Sequence, residues 1–227
     1  MLPGCPAGRP HRLLAAASAL VVLLAGASPT AALPPGWTSL QKAFSATGAP
    51  DHSLAIDSQG KYHIATAGGS SRVGIWYVTN AGGSWASEQV TTGDDRSPSI
   101  ALDDTVVHIA FRRAGGPEPG IYVAEDTLGD WTIQRRHAGT DGSPSLALHN
   151  GTEHIAFKDG SDRLRHTYGS PSDPTWTLET VDASCCTGRP SLRIAPSGVP
   201  RVVYPDGKPG SPKGLKQGTR NGGSWSI

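Results

Sequence analysis

Ser99-Ile100-Ala101-Leu102-Asp103-Asp104-Thr105-Val106-Val107-His108-Ile109-Ala110-Phe111 sets two short hydrophobic runs around a polar turn. The opening phrase recurs as Ser53-Leu54-Ala55-Ile56-Asp57, as Ser145-Leu146-Ala147-Leu148-His149 and as Ser191-Leu192-Arg193-Ile194-Ala195. The leading serines stand 46 residues apart at every step. A fixed interval of this length marks one supersecondary unit stacked on copies of itself.

Each copy reads as four strands. In the second copy the two opening runs are followed by Ile121-Tyr122-Val123-Ala124 and Trp131-Thr132-Ile133-Gln134-Arg135-Arg136, with Gly, Pro or Asp between them. Such β-branched and aromatic runs, closed by turn residues, predict a four-stranded antiparallel unit. No helical period competes with this reading. A sheet this small cannot bury both faces alone, and radial stacking does so while leaving only short edges. The expected fold class is therefore all-β, a β-propeller of four-stranded antiparallel blades. The blades are expected over residues 51–92, 97–138, 143–184 and 189–227, within a propeller of residues 33–227. A stray copy of the fourth strand, Trp37-Thr38-Ser39-Leu40-Gln41-Lys42-Ala43, predicts a front strand over 37–47. It could stitch the ring closed, yet Trp225-Ser226-Ile227 begins a fourth strand of its own. Both an array that breaks off early and a four-bladed ring with a ragged end remain open.

Residues 1–32 are read apart from the fold. A basic start (Arg9, His11, Arg12), an apolar run over 13–27 and small residues after it are the pattern of a secretory signal peptide. The expected location is thus secreted, extracellular or periplasmic, with no membrane attachment after cleavage. The chain carries 20 basic and 19 acidic residues, and without residues 1–32 the balance is 18 to 19. A near-neutral protein lacks the basic field that nucleic-acid binding needs.

The turns before the tryptophans carry a further pattern. Thr79-Asn80-Ala81-Gly82-Gly83-Ser84-Trp85 and Thr219-Arg220-Asn221-Gly222-Gly223-Ser224-Trp225 look like degenerate Asp-box turns. Together with the Pro-Ser-Leu-Ala-Leu first strand and the His-Ile-Ala-Phe second strand, they make residues 37–227 resemble the sialidase-like (BNR/Asp-box) β-propeller superfamily. That resemblance implies the fold and leaves the activity open, because the superfamily includes glycoside hydrolases, lectin-like binders and secreted propellers of other roles. It implies a ligand face built from the loops between blades and the loops between second and third strands.

On that face the repeats diverge while the strands keep their beat, which is how loops acquire roles. Asp51, Asp95, Arg96, Asp141, Cys185, Cys186 and Arg189 are the candidate ligand-binding residues. Arginine forks suit carboxylates. Asp51, Asp94, Asp95 and Asp141 are the candidate acids. A sialidase needs three arginines, an acid and a Tyr/Glu pair. Of these, only Arg96 and Arg189 can be assigned by register, so the catalytic residues stay unassigned. Cys185-Cys186 in an exported chain is expected to form a vicinal disulfide, or else to find partners in another chain or a missing segment. No CxxC spacing supports zinc. His63, His108 and His154 share one register, and they read as side chains bonded to their own blade's turn rather than as a metal ring. The four tryptophans read as interblade packing, with Trp76 and Tyr77 as lesser sugar-stacking candidates. The expectation is a binding module for a glycan or an extracellular protein, without cofactor or metal, with a sialidase-like hydrolase and a structural propeller as the other readings. A homo-oligomer follows if two chains complete one ring.

Overall fold

The structure, a computed structural model, describes residues 42–45, 51–70, 72–104, 106–127, 129–140, 142–185, 188–207 and 214–227. Its described residues form sixteen strands and no helix. The first blade holds β1 (His52–Ile56), β2 (Tyr62–Ala67), β3 (Ile75–Thr79) and β4 (Ala86–Gln89). The second holds β5 (Asp95–Asp103), β6 (Val106–Arg113), β7 (Gly120–Thr127) and β8 (Asp130–Ala138). The third holds β9 (Ser145–His149), β10 (Thr152–Lys158), β11 (Leu164–Gly169) and β12 (Thr177–Asp182). The fourth holds β13 (Ser191–Ile194), β14 (Pro200–Asp206), β15 (Gly214–Asn221) and β16 (Ser224–Ser226). Each blade is an antiparallel meander in chain order. The expected all-β propeller of four-stranded blades is the architecture observed. Of the expected front strand, residues 42–45 have no strand structure and the remainder lies outside the described residues.

Directly opposed residues on antiparallel strands share a face, so the register tells which side chains meet the next blade. Ala65 and Tyr77 on one face of blade 1 pack against Ile100, Val107, Ile109 and Phe111 of blade 2. Ala110, Ile121 and Val123 on the other face of blade 2 meet Leu146, Ile155 and Phe157 of blade 3. Ala156 and Leu164 of blade 3 meet Leu192, Val202 and Tyr204 of blade 4. At each joint small alanines on one face receive large aliphatics and aromatics on the next. Each buried Leu, Ile or Phe contributes about 1.5–3 kcal/mol, so the repeat specifies both halves of its own joint.

A polar bond repeats with the apolar ones. Ser53 Oγ accepts from Ile100 N at 3.2 Å, Ser99 Oγ from Leu146 N at 2.9 Å, and Ser145 Oγ from Leu192 N at 2.9 Å. The serine that announces each repeat is therefore the peg that holds the next blade.

Trp131, Trp176 and Trp225 are joint residues, as their periodicity suggests, whereas Trp85 meets Tyr62 of its own blade. Trp131 Nε1 of blade 2 donates to Glu88 of blade 1, and Trp225 Nε1 of blade 4 donates to Glu179 of blade 3. Tyr77 is buried with its hydroxyl 2.5 Å from His63 Nδ1, so it has no free ring for a sugar. The histidines diverge from the expected common role. His63 reaches Asp57 of its own first turn at 3.4 Å, but His108 bonds Glu153 of the following blade and His154 bonds His166. Their shared register fixes only their position on the joint face. The neighbouring side chains choose the partner.

Candidate functional site

One register position lies two residues before the serine pegs, and the four copies carry Asp51, Ser97, Ser143 and Arg189 there. Three of these four residues are linked. Ser97 Oγ donates to Asp51 Oδ2 at 2.9 Å, 46 residues away. The Arg189 guanidinium donates to the backbone carbonyls of Ser97 at 3.3 Å, Pro98 and Pro144 at 3.4 Å. Arg189 thus ties the last blade to the loops that open blades 2 and 3. Burial lowers the proton affinity of its guanidinium, and the charge of Asp51 acts the other way.

A β-bulge makes this geometry. The β5–β6 register shifts between Arg96 and Ser99, and Ser97 there takes a positive φ of 54°. Bulges re-aim side chains in this way. This also explains why β5 begins at Asp95, well before the periodic phrase at Ser99. The extra strand places Asp95 opposite Arg113 and Arg96 opposite Arg112.

Beside the Asp51–Ser97 bond is a cavity of about 630 Å³. Its walls include Asp51, Gly68, Ser70, Arg72, Val73, Thr92, Asp94, Asp95 and Arg96. The β2–β3 loop of blade 1 forms one wall and the loop between blades 1 and 2 the other. Arg96 Nε donates to Asp94 Oδ1 at 2.7 Å, and both side chains are half-exposed on the rim. Arg72 lies over the Trp76 ring at 4.6 Å and the Phe44 ring at 5.1 Å. Trp76 is therefore covered by a cation and a phenyl ring, which takes it from the set of free stacking platforms. Gly74 closes the back of the loop at φ 82°, where a Cβ would sit 1.8 Å from the Thr91 carbonyl oxygen.

The sequence-predicted residues divide clearly. Asp51 and Arg96 line the cavity, and Asp51 also belongs to the axial link with Arg189. Asp95 lines it too, but its carboxylate is fully buried and held by both arms of Arg113, at 2.9 and 3.1 Å. That fork raises the Arg113 proton affinity and marks Asp95 as a positioning residue for the loop. Cys185 is disulfide-bonded and buried among Leu164, Leu192 and Tyr204, away from the cavity. Asp141 and Cys186 lie outside the described residues. Arg72 and the Gly68–Gly74 turn escaped the sequence reading. The signal for them was there: the first copy alone carries Gly-Gly-Ser-Ser-Arg between its second and third strands.

Two other clusters carry titratable groups. His108, Glu125 and Glu153 bring ligand-type atoms within 4.8 Å of one another. Arg136 Nη2 stands 3.1 Å from Glu153 Oε2, and His108 Nδ1 2.7 Å from Oε1. A buried guanidinium already supplies the positive charge there, so the cluster reads as an ion network between blades 2 and 3. Between blades 3 and 4, His154, His166 and Tyr168 stack at 5.1–5.5 Å, with Trp225 edge-on to His166 at 5.2 Å. Burial pushes both imidazoles down to about 4, helped at His154 by the neighbouring rings of His166 and His149. Burial alone would raise Glu179, but Arg220, Trp225 and His166 bring it down to about 2.

No family model matches this chain, and no curated protein matches it. Solved structures do resemble it. An α-L-arabinofuranosidase from Podospora anserina, in complex with cellotriose, superposes with a TM-score of 0.52 at 10% identity, over 75% of this chain and 63% of that one. The protein AofleA from Arthrobotrys oligospora gives 0.58 at 12%, over 78% and 55%. A lectin variant from Aleuria aurantia, in complex with α-methyl-L-fucoside, gives 0.54 at 14%, over 78% and 60%. This chain thus spans less than two thirds of the length of each of these three. At such identity the likeness is one of fold. It does not single out the sialidase-like branch.

Proposed function

We propose that this chain is an exported glycan-binding propeller whose ligand enters the cavity between blades 1 and 2. The observation that carries this reading is the rim pair Asp94–Arg96 at the mouth of a 630 Å³ cavity. A carboxylate acceptor beside a guanidinium donor, both half-exposed, matches the paired hydroxyls of a sugar. Arg72 and Asp51 extend that polar lining. The structures of similar fold in complex with arabinobiose, cellotriose or a fucoside support the ligand class. Export is supported by the composition of residues 1–32 and by the disulfide at Cys185.

Binding is favoured over hydrolysis by how the cavity carboxylates are engaged. Asp94 accepts from Arg96, Asp51 from Ser97, and Asp95 is held by Arg113. A glycosidase acid must instead hold a proton to give to the leaving group. The tyrosine hydroxyl nearest a carboxylate in sialidase style is Tyr204, which donates to Asp182 at 2.9 Å but is fully buried. The deciding experiment is a glycan array followed by titration calorimetry, run beside fluorogenic sialoside and arabinofuranoside assays. Saturable binding without turnover supports the reading. Turnover that Arg96→Ala abolishes would replace it with a sialidase-like or other glycosidase. Silence in both, with capture of a protein partner, would leave an interaction propeller.

A further inference from the structure

The outward faces of the first and last blades are the two halves of a joint that this chain makes three times internally. Leu54, Ile100, Leu146 and Leu192 share one register position. The last three are covered by the preceding blade and are 7%, 2% and 0% exposed, whereas Leu54 is 52% exposed. Ile56 and Tyr62, directly paired on that same face, are exposed with it. At the other end Val203 takes the position of Ala65, Ala110 and Ala156. Those alanines are fully buried, and Val203 is 40% exposed. The polar peg is half-made in the same way. Ser53, Ser99 and Ser145 each accept from the next blade, but Ser191 is exposed and its hydroxyl has no partner among the described residues.

We infer that these two faces join head to tail between two copies of this chain, with the last blade of one seated on the first blade of the other. The inference is independent of the ligand. Its chemistry lies in the substitutions that set the last face apart. Where inner blades carry alanine and histidine, blade 4 carries Arg193 and Arg201, directly opposite one another. Against an ordinary aliphatic face two cations would be stranded. Blade 1 offers another surface: the exposed ring of Tyr62, paired with Ile56 and beside Leu54. An arginine of one blade laid on an aromatic ring of the next is a contact the chain already uses, with Arg136 over Trp176 at 4.3 Å. Arginine stems can cover Leu54 and Ile56 while a guanidinium plane stacks on the Tyr62 ring. Such a contact is heterologous, so it closes into a ring or propagates according to its rotation.

The test is native mass spectrometry with sedimentation velocity on the full chain across a concentration series. The expected result is an assembly of two or more copies that grows with concentration. Leu54→Lys blocks one face and Val203→Lys the other. Both sites are exposed, so circular dichroism should stay as in the parent, and the melting temperature should match the parent's at a dilution where the parent is monomeric. Each variant alone is expected to be monomeric, and an equimolar mixture is expected to form a one-to-one pair and nothing larger, because one good face of each kind remains. Ser191→Ala is expected to weaken association about fivefold. A parent chain that stays monomeric throughout, leaving its faces to a further blade or another protein, overturns the inference. So does an assembly that survives either single block, or a mixture of the two variants that fails to pair.

Discussion

Asp51 and Ser97 occupy the same register position in successive repeats, and their side chains hydrogen bond to each other at 2.9 Å. A repeat usually gives equivalent residues equivalent and separate roles. Here the stacking brings equivalents together, because the position lies where successive blades open beside one another. Arg189, the fourth equivalent, reaches the backbone of Ser97 and Pro98. Coupling between Asp51 and Ser97 in a double-mutant cycle with alanine is expected to be about 1 kcal/mol by chemical denaturation. Ser97→Gly should cost less than Ser97→Ala. Glycine loses the same hydroxyl but relieves the positive φ at that bulge.

The cavity residues should separate into ligand contacts and scaffold. Arg96→Ala and Asp94→Ala are expected to weaken glycan binding about tenfold or more, the effect of losing one charged hydrogen bond. They should leave the melting temperature within a degree or two. Arg113→Ala should instead lower stability by about 3 kcal/mol, since it leaves the buried Asp95 carboxylate without its counter-ion. Equal effects of the two kinds on the melting temperature would contradict this division.

The serine pegs offer an internal control. Ser53→Ala, Ser99→Ala and Ser145→Ala each remove an interblade acceptor and are expected to cost about 1 kcal/mol in urea denaturation. Ser191→Ala, measured at a concentration where the chain is monomeric, should cost almost nothing. A uniform cost at all four sites would show that the serine acts within its own blade.

Acid should loosen the joint between blades 3 and 4. His154 and His166 are held near 4 in the folded chain, below the ordinary histidine value of 6.5. Depressed values mean that the unfolded chain takes up protons first as pH falls. The stability these residues allow is therefore whole above pH 6.5 and is lost progressively as pH drops through 4. The loss is on the order of a few kcal/mol for the pair. Glu179, held near 2, adds a further loss below about pH 4.5. Thermal melts across pH 4–7 check this, and His166→Asn should flatten the upper part of the profile.

Much of the fold was legible because the sequence states it four times. Strand order, blade count among the repeats, the joint role of Trp131, Trp176 and Trp225 and the alternation of faces follow from a 46-residue interval and a period of two. The site was less legible. Asp95 and Arg96 are neighbours in sequence and both looked like loop residues, yet one is buried under Arg113 and the other lies half-exposed on the rim. Nothing in their local sequence separates them, because the bulge at Ser97 decides which way each one points. Cys185 likewise read as a ligand-binding residue of the loop face and is packed in the core around Tyr204.

The sequence alone determined what each blade is, since short-range alternation and turn chemistry are properties of contiguous residues. Only the tertiary structure decided which equivalent residues meet, as Asp51 meets Ser97. It also decided which faces stay bare, as Leu54 does while Ile100, Leu146 and Leu192 are covered. The physical reason is that a repeat fixes its own strands locally, whereas contact and exposure depend on whether another blade stands on the far side.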